Sequence, residues 1–136
     1  KFDTIIYLHV LEHIQDDMGE IIEISKKLKT EGNLIIMVPR FQKLYSSLDK
    51  AVGHFRRYEI DFFKKKMSGL TRQKLISLDS MGCLLYYLNK IFFKEEKFPS
   101  EKKIFIWDKI FTPITILADF LTNYTIGKCI LTVYKK

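Results

Sequence analysis

Two nearly continuous apolar runs, residues 2–10 (FDTIIYLHV) and 33–38 (NLIIMV), frame a stretch with helical periodicity. That arrangement restricts the fold more than any other feature of the chain. An apolar run without polar alternation suits a strand covered on both faces, as in a parallel sheet. Between the runs, Met18, Ile21, Ile22 and Leu28 recur at helical spacing over residues 16–29. Asp16, Asp17 and Glu20 sit in the first turn and Lys26, Lys27 and Lys29 in the last, which complements the helix dipole. Glu31-Gly32 ends this helix, and Pro39 stops the second run. Strand, helix and strand read as a right-handed βαβ unit.

Residues 40–58 are polar and irregular, with Gly53 near their centre. Residues 59–68 read as a helix with Ile60, Phe63 and Met67 on one side, closed by Gly69. Residues 73–79 (QKLISLD) give a third strand, and residues 81–93 an apolar, aromatic helix. A charged loop, 94–103, holds Pro99. Residues 104–124 form a long apolar helical stretch carrying Trp107, Phe111, Leu117 and Phe120. Asp108, Lys109, Asp119 and the central Pro113 argue against a membrane span, so one or two helices packed on the sheet are expected. Gly127 launches a last strand, 129–134 (CILTVY).

With 136 residues, 47% of them apolar, the chain can bury one core and is read as a single domain. An aromatic content of 14% excludes a disordered chain. The net charge of +7 favours anionic contacts: nucleic acid, phospholipid headgroups or phosphorylated small molecules. The plainer reading is that Lys26-Lys27, Lys64-Lys65-Lys66 and Lys102-Lys103 solvate helix faces. Nucleic acid has little support, because the basic residues are spread out and no RNA-binding motif accompanies them. Two cysteines without a CxxC lead to the expectation of free thiols and a cytoplasmic location. The chain opens almost inside a strand without an initiator Met, which leads to the expectation of a fragment of something longer.

Three segments, FDTIIYLHVLEHIQDD, LKTEGNLIIMVP and LYSSLDKAVGHFRRYE, carry a family resemblance. Their order and spacing resemble the C-terminal half of a class I S-adenosylmethionine-dependent methyltransferase, in the group with a VLEH signature after strand four and GHxRRY after strand five. The match covers residues 1–79; beyond them only the layout agrees, down to an antiparallel terminal strand. The resemblance implies strands four to seven of a seven-stranded Rossmann-like α/β sheet. Residues 1–39 would be its βαβ unit, 40–72 a substrate-side loop and helix, and 73–136 the C-terminal strands and apolar helices. The glycine-rich loop that cradles the methionine part of the cofactor has no counterpart, since no GxG follows a strand. Neither does the acidic residue that holds the ribose. The expectation is a chain inactive by itself, drawn from a parent that transfers a methyl group to an oxygen, nitrogen or carbon. In the family order strand four also pairs with strand one, so residues 2–8 should form an unpaired apolar edge open to self-association.

By the same resemblance, Leu8, His9 and Val10 touch the cofactor at the carboxyl end of the first strand. His9, Glu12 and His13 stand at i, i+3 and i+4 and share a face if their turn is helical. With His54 of GHFRRY on the same rim, three readings stay open. They are packed turn residues, a general base drawn from His9, His13 or His54, and a divalent-metal site of His9, Glu12, His13 and His54. The metal has the least support, because related metal-assisted enzymes carry Glu-x-x-Glu-His where this chain has His-x-x-Glu-His. Arg56, Arg57 and Tyr58, with Tyr45 and Asp49, can line an acceptor pocket and grip a phosphate or carboxylate. The alternative is a salt bridge from this segment to Asp16 or Asp17. The aromatic stretch 84–93 suggests core and lid packing, or else contact with a lipid-linked acceptor or a membrane surface, as distinct from a small-molecule acceptor. A non-catalytic binding or assembly module and a membrane-surface protein are the two rival functions.

Overall fold

The computed structural model describes residues 1–67, 69–92 and 101–136; the side chains of 88–92, 103 and 107 are not described. Ser68, Phe93 and most of the expected charged loop with Pro99 lie outside the described residues. Four strands, β1 (Phe2–Leu8), β2 (Leu28–Pro39), β3 (Thr71–Leu78) and β4 (Cys129–Lys135), form one sheet in the order β1-β2-β4-β3. β1 and β2 are parallel, and β4 runs antiparallel to both its neighbours. The chain is therefore α/β, with a mixed sheet, flanking helices and an antiparallel last strand. β1 is an edge strand among the described residues, as the sequence led us to expect.

The first crossover helix, α1 (Asp17–Lys27), is capped by Asp16, whose carboxyl accepts from the Gly19 amide at 2.9 Å. It lays Ile21 and Ile24 on Leu34, Ile36 and Val38 of β2 and Ile130 and Tyr134 of β4. Alternation does the rest: every second residue of β2 and β4 enters this core. The helix stops two residues earlier than its lysines suggest. Leu28 is fully buried and already paired with Phe2, so the chain passes straight into β2. The Glu31-Gly32 pair then forms a bulge in the strand instead of a helix terminus, with Glu31 at φ 65°.

The next helix, α2 (Ser47–Ala51), is one short turn, and α3 (Ile60–Lys64) is only five residues long where about ten were expected. Burial explains the shortening. Phe63, Met67 and Leu70 all enter the core, and Met67 reaches it by bridging Leu70 across Gly69, at φ 72°.

After β3, α4 (Ser80–Phe92) starts at a cap built by a distant residue. Asp119 accepts from the Asp79 and Ser80 amides, both at 2.8 Å. Helix α5 (Glu101–Ile106) takes in the end of the expected loop, and a π-helical turn, Trp107–Phe111, leads into α6 (Thr112–Leu121). Pro113 lies in the first turn of α6, where its missing N–H costs nothing, and the wider turn before it absorbs the irregularity. The stretch thus forms two helices, within the one or two expected. α6 buries Thr115 and Asp119 and exposes Ile114, Ile116, Leu117, Phe120 and Leu121. Gly127 then passes so close to the Leu78 backbone that a Cβ would lie 2.2 Å from its carbonyl oxygen.

Tyr7 ties the edge strand to the crossover helix by donating to Glu20 at 2.5 Å. Desolvation, with Glu20 second, pushes its pKa up to about 12 from 10.0. The folded value lies above the unfolded one, so this stability is whole below pH 10 and is lost as pH rises through about 12. Tyr7→Phe should cost about 1 kcal/mol in urea unfolding at neutral pH, with less further loss than wild type in the alkaline window.

Candidate functional site

The carboxyl end of β1 is extended by one more ladder contact, the His9 amide donating to Met37 O at 2.9 Å. His9 itself turns into the left-handed region, at φ 52°, and the chain closes a 3-10 turn over Leu11–His13. Leu11 and Glu12 are drawn inward by that turn while His13 stays exposed. The turn is the reason a strand ends in a histidine cluster. It places Leu8, His9 and Val10 on an open rim, with Leu8 52% and Val10 40% exposed.

Residues 54–58 come back to this rim as an extended segment. Gly53, at φ 84°, makes the turn that returns it. The Phe55 amide donates to Glu12 O at 2.8 Å, and the Tyr58 amide to Pro39 O at 2.9 Å. Arg56 pairs with Asp17 at 2.5 Å and donates to Gln15 O at 2.7 Å. Tyr58 reaches the same Asp17 carboxyl at 2.9 Å, with Leu11 O at 3.2 Å. Burial first, then Asp17, raises the Tyr58 pKa well above the usual phenol range. The salt bridge from this segment to α1, one of the two readings of Arg56, is thus present.

Arg57 is the buried member of the pair. It forks onto Asp49 through two bonds of 2.9 Å, with Arg57 only 8% and Asp49 2% exposed. Its guanidinium also lies 4.9 Å from the centre of the Tyr86 ring, whose hydroxyl donates to Leu44 O at 3.0 Å. Asp49 is shared further. It closes a capping box with Ser46 at the start of α2 and holds His54 Nδ1 at 2.8 Å. Burial alone would raise the Asp49 carboxyl; the bonds from Arg57 and His54 outweigh it and hold its pKa below the usual range. Tyr45 donates to His54 O at 2.7 Å. The polar ends of Tyr45, Arg56, Arg57 and Tyr58 are therefore all engaged within the chain and fix the course of the loop.

His9, Glu12, His13 and His54 do meet. His9 Nδ1 lies 3.0 Å from Glu12 Oε1, and His54 Nε2 lies 3.9 Å from the same oxygen. The rings of His13 and His54 stand edge to face, 4.6 Å apart. Cys129 first, and the bond to Glu12 next, raise the His9 pKa from 6.5 to about 10. Glu12 is fully buried, and its second oxygen, Oε2, has no partner. Among the described residues, Glu12, His13 and His54 are the group placed to hold a metal ion. Cys83 is half-buried, Cys129 is buried, and both are free.

Sequence reasoning named Asp49 only as a pocket residue and missed Tyr86. The Ser46-x-x-Asp49 spacing was a legible capping signal; nothing local marks Tyr86, which acts across a long loop.

No protein-family model matches this chain, and no curated protein sequence does. Among solved structures, it is similar to a SAM-dependent methyltransferase from Archaeoglobus fulgidus, with a TM-score of 0.46 and 15% identity over 99% of this chain and 59% of that one. It is also similar to the MccD protein, with a TM-score of 0.48 and 16% identity over 99% of this chain and 60% of that one. The chain thus spans less than two thirds of the length of either.

The two arginines should separate in mutagenesis. Arg57→Ala leaves a buried carboxyl unpaired and should cost about 3 kcal/mol in urea unfolding. Arg56→Ala should cost about 1 kcal/mol, because its guanidinium is partly solvated and Tyr58 still serves Asp17.

Proposed function

We propose that this chain is the acceptor-side part of an S-adenosylmethionine-dependent methyltransferase. One observation carries the reading. The two most distinctive segments of the family resemblance, LHVLEH and GHFRRY, lie far apart in sequence yet join at a single rim, through the Phe55–Glu12 backbone bond and the approach of His54 to Glu12. That rim lies at the carboxyl ends of parallel strands, where open α/β sheets bind ligands.

The residues present fit one wall of a cofactor site. Leu8 and Val10 offer exposed apolar side chains on either side of His9. The glycine-rich wall is not in this sequence, so activity belongs to a longer protein or assembly that supplies it. S-adenosylmethionine supplies a methyl group on a sulfonium, open to in-line displacement. The work of these residues is alignment of donor and acceptor and exclusion of water. An oxygen acceptor must also shed its proton, and the His13 and His54 imidazoles on this rim are the side chains that could take it. Tyr45, Arg57 and Tyr58 act as positioning residues that hold the loop over the acceptor.

S-adenosylhomocysteine titrated into the full-length gene product should bind one to one, and Leu8→Asp should weaken that binding at least about tenfold. Absence of binding would favour a non-catalytic module of the same fold.

A second reading has its own observation. Helices α5 and α6 and the turn between them expose Ile104, Phe105, Ile106, Ile110, Phe120 and Leu121. No described helix is long and apolar enough to cross a membrane. Such a surface suits contact with a lipid-linked acceptor or a membrane face. The chain should then co-sediment with anionic vesicles at low salt, and Phe120→Glu with Leu121→Glu should abolish it. No wild-type binding removes this reading.

A further inference from the structure

We propose that Glu12, His13 and His54 form a binding site for a zinc-class divalent transition ion. The inference concerns the cluster alone and stands apart from methyl transfer.

The starting point is the carboxyl of Glu12. Its side chain is fully buried, His9 satisfies Oε1 at 3.0 Å, and Oε2 has no partner. An orphaned buried carboxylate oxygen is costly and rare in folded proteins. A cation at this point removes the cost. Two imidazoles flank it, and one ligand atom from each of Glu12, His13 and His54 lies within 4.8 Å of the others.

The surroundings prepare His54 for this role. Arg57 forks onto Asp49, and Asp49 in turn holds His54 at Nδ1, 2.8 Å away. That leaves Nε2 as the ring atom turned to the Glu12 carboxyl, 3.9 Å from its Oε1. A carboxylate behind a ligating imidazole orients the ring and raises its basicity. The 3.9 Å gap is too long for a hydrogen bond. Ligands about 2.0–2.1 Å from a tetrahedral ion stand about 3.3 Å apart, so the cluster closes by a small inward swing. His13 is exposed and free to make it.

Two imidazoles and one carboxylate select borderline ions over calcium or magnesium, which take oxygen ligands. Three protein ligands leave a fourth position open towards solvent, the pattern of a reactive site rather than a structural one. His9 stays outside the ligand set: its Nδ1 is already engaged by Glu12 Oε1 at 3.0 Å, the oxygen that His54 Nε2 also faces, and Oε2 is left without a partner.

The test uses the 136-residue chain with Zn2+, followed by calorimetry, and with Co2+, followed by its visible absorption. One equivalent should bind, and Co2+ should show the strong bands of a low-coordinate ion. His13→Ala and His54→Ala should each weaken Zn2+ at least about tenfold. His13 is at the surface, so its variant keeps the fold, which circular dichroism verifies; loss of affinity in that variant alone supports the site. Absence of one-to-one Zn2+ binding by the wild-type chain, or affinity unchanged in both His13→Ala and His54→Ala, overturns the proposal. No donor or acceptor is present, so a failure of S-adenosylhomocysteine to bind the longer gene product leaves this result untouched.

Discussion

Two ion pairs on adjacent residues fix the geometry on which everything else depends. Arg56 points to Asp17 at the start of α1, and Arg57 points the other way, into Asp49 of α2. An extended strand sends successive side chains to opposite sides, so one short segment staples two separate elements to the sheet rim. The backbone of the same segment reaches Glu12 and Pro39. Without that staple the long polar loop after β2 would have no reason to lie over the histidines. The buried Arg57–Asp49 fork does not stand out as a source of net stability, since desolvation offsets much of its attraction. Its effect is positional: it sets where His54 points.

Much of this was legible from the residues. The apolar runs and the period between them located β1, α1 and β2, and the last strand fell where Gly127 and CILTVY placed it. The salt bridge from Arg56 to Asp17 was one of two readings of that residue. The early start of β2 at Leu28 is a place where a buried side chain overrode local helix signals. Asp119 was noticed as a charge that does not belong in a membrane, and its capping of Asp79 and Ser80 could not be seen because the partners are distant in sequence. The meeting of His13 with His54 was the same kind of long-range fact, reachable only through the resemblance.

The sheet is asymmetric in how it is finished. On one face α1 and the Phe63–Leu70 segment complete a closed core around β2 and β4. The other rows are less covered: Ile6 and Leu8 are exposed on β1, and Ile35, Met37, Leu131 and Val133 are only half-buried. Among the described residues β1 is therefore bare along one edge and over part of one face, next to the rim that carries the histidines. Apolar surface of that extent is more typical of interfaces than of a free monomer surface.

Helix α6 has a peculiarity with thermodynamic weight. It touches the body of the protein through Thr115 and Asp119 and turns its large apolar side chains away. A helix docked by hydrocarbon burial loosens in the cold and leaves a large heat-capacity signature when it detaches. One held by a carboxylate on two amides has little of either. Its release should thus carry little heat-capacity change and be sensitive to what solvent or partner covers its outward face.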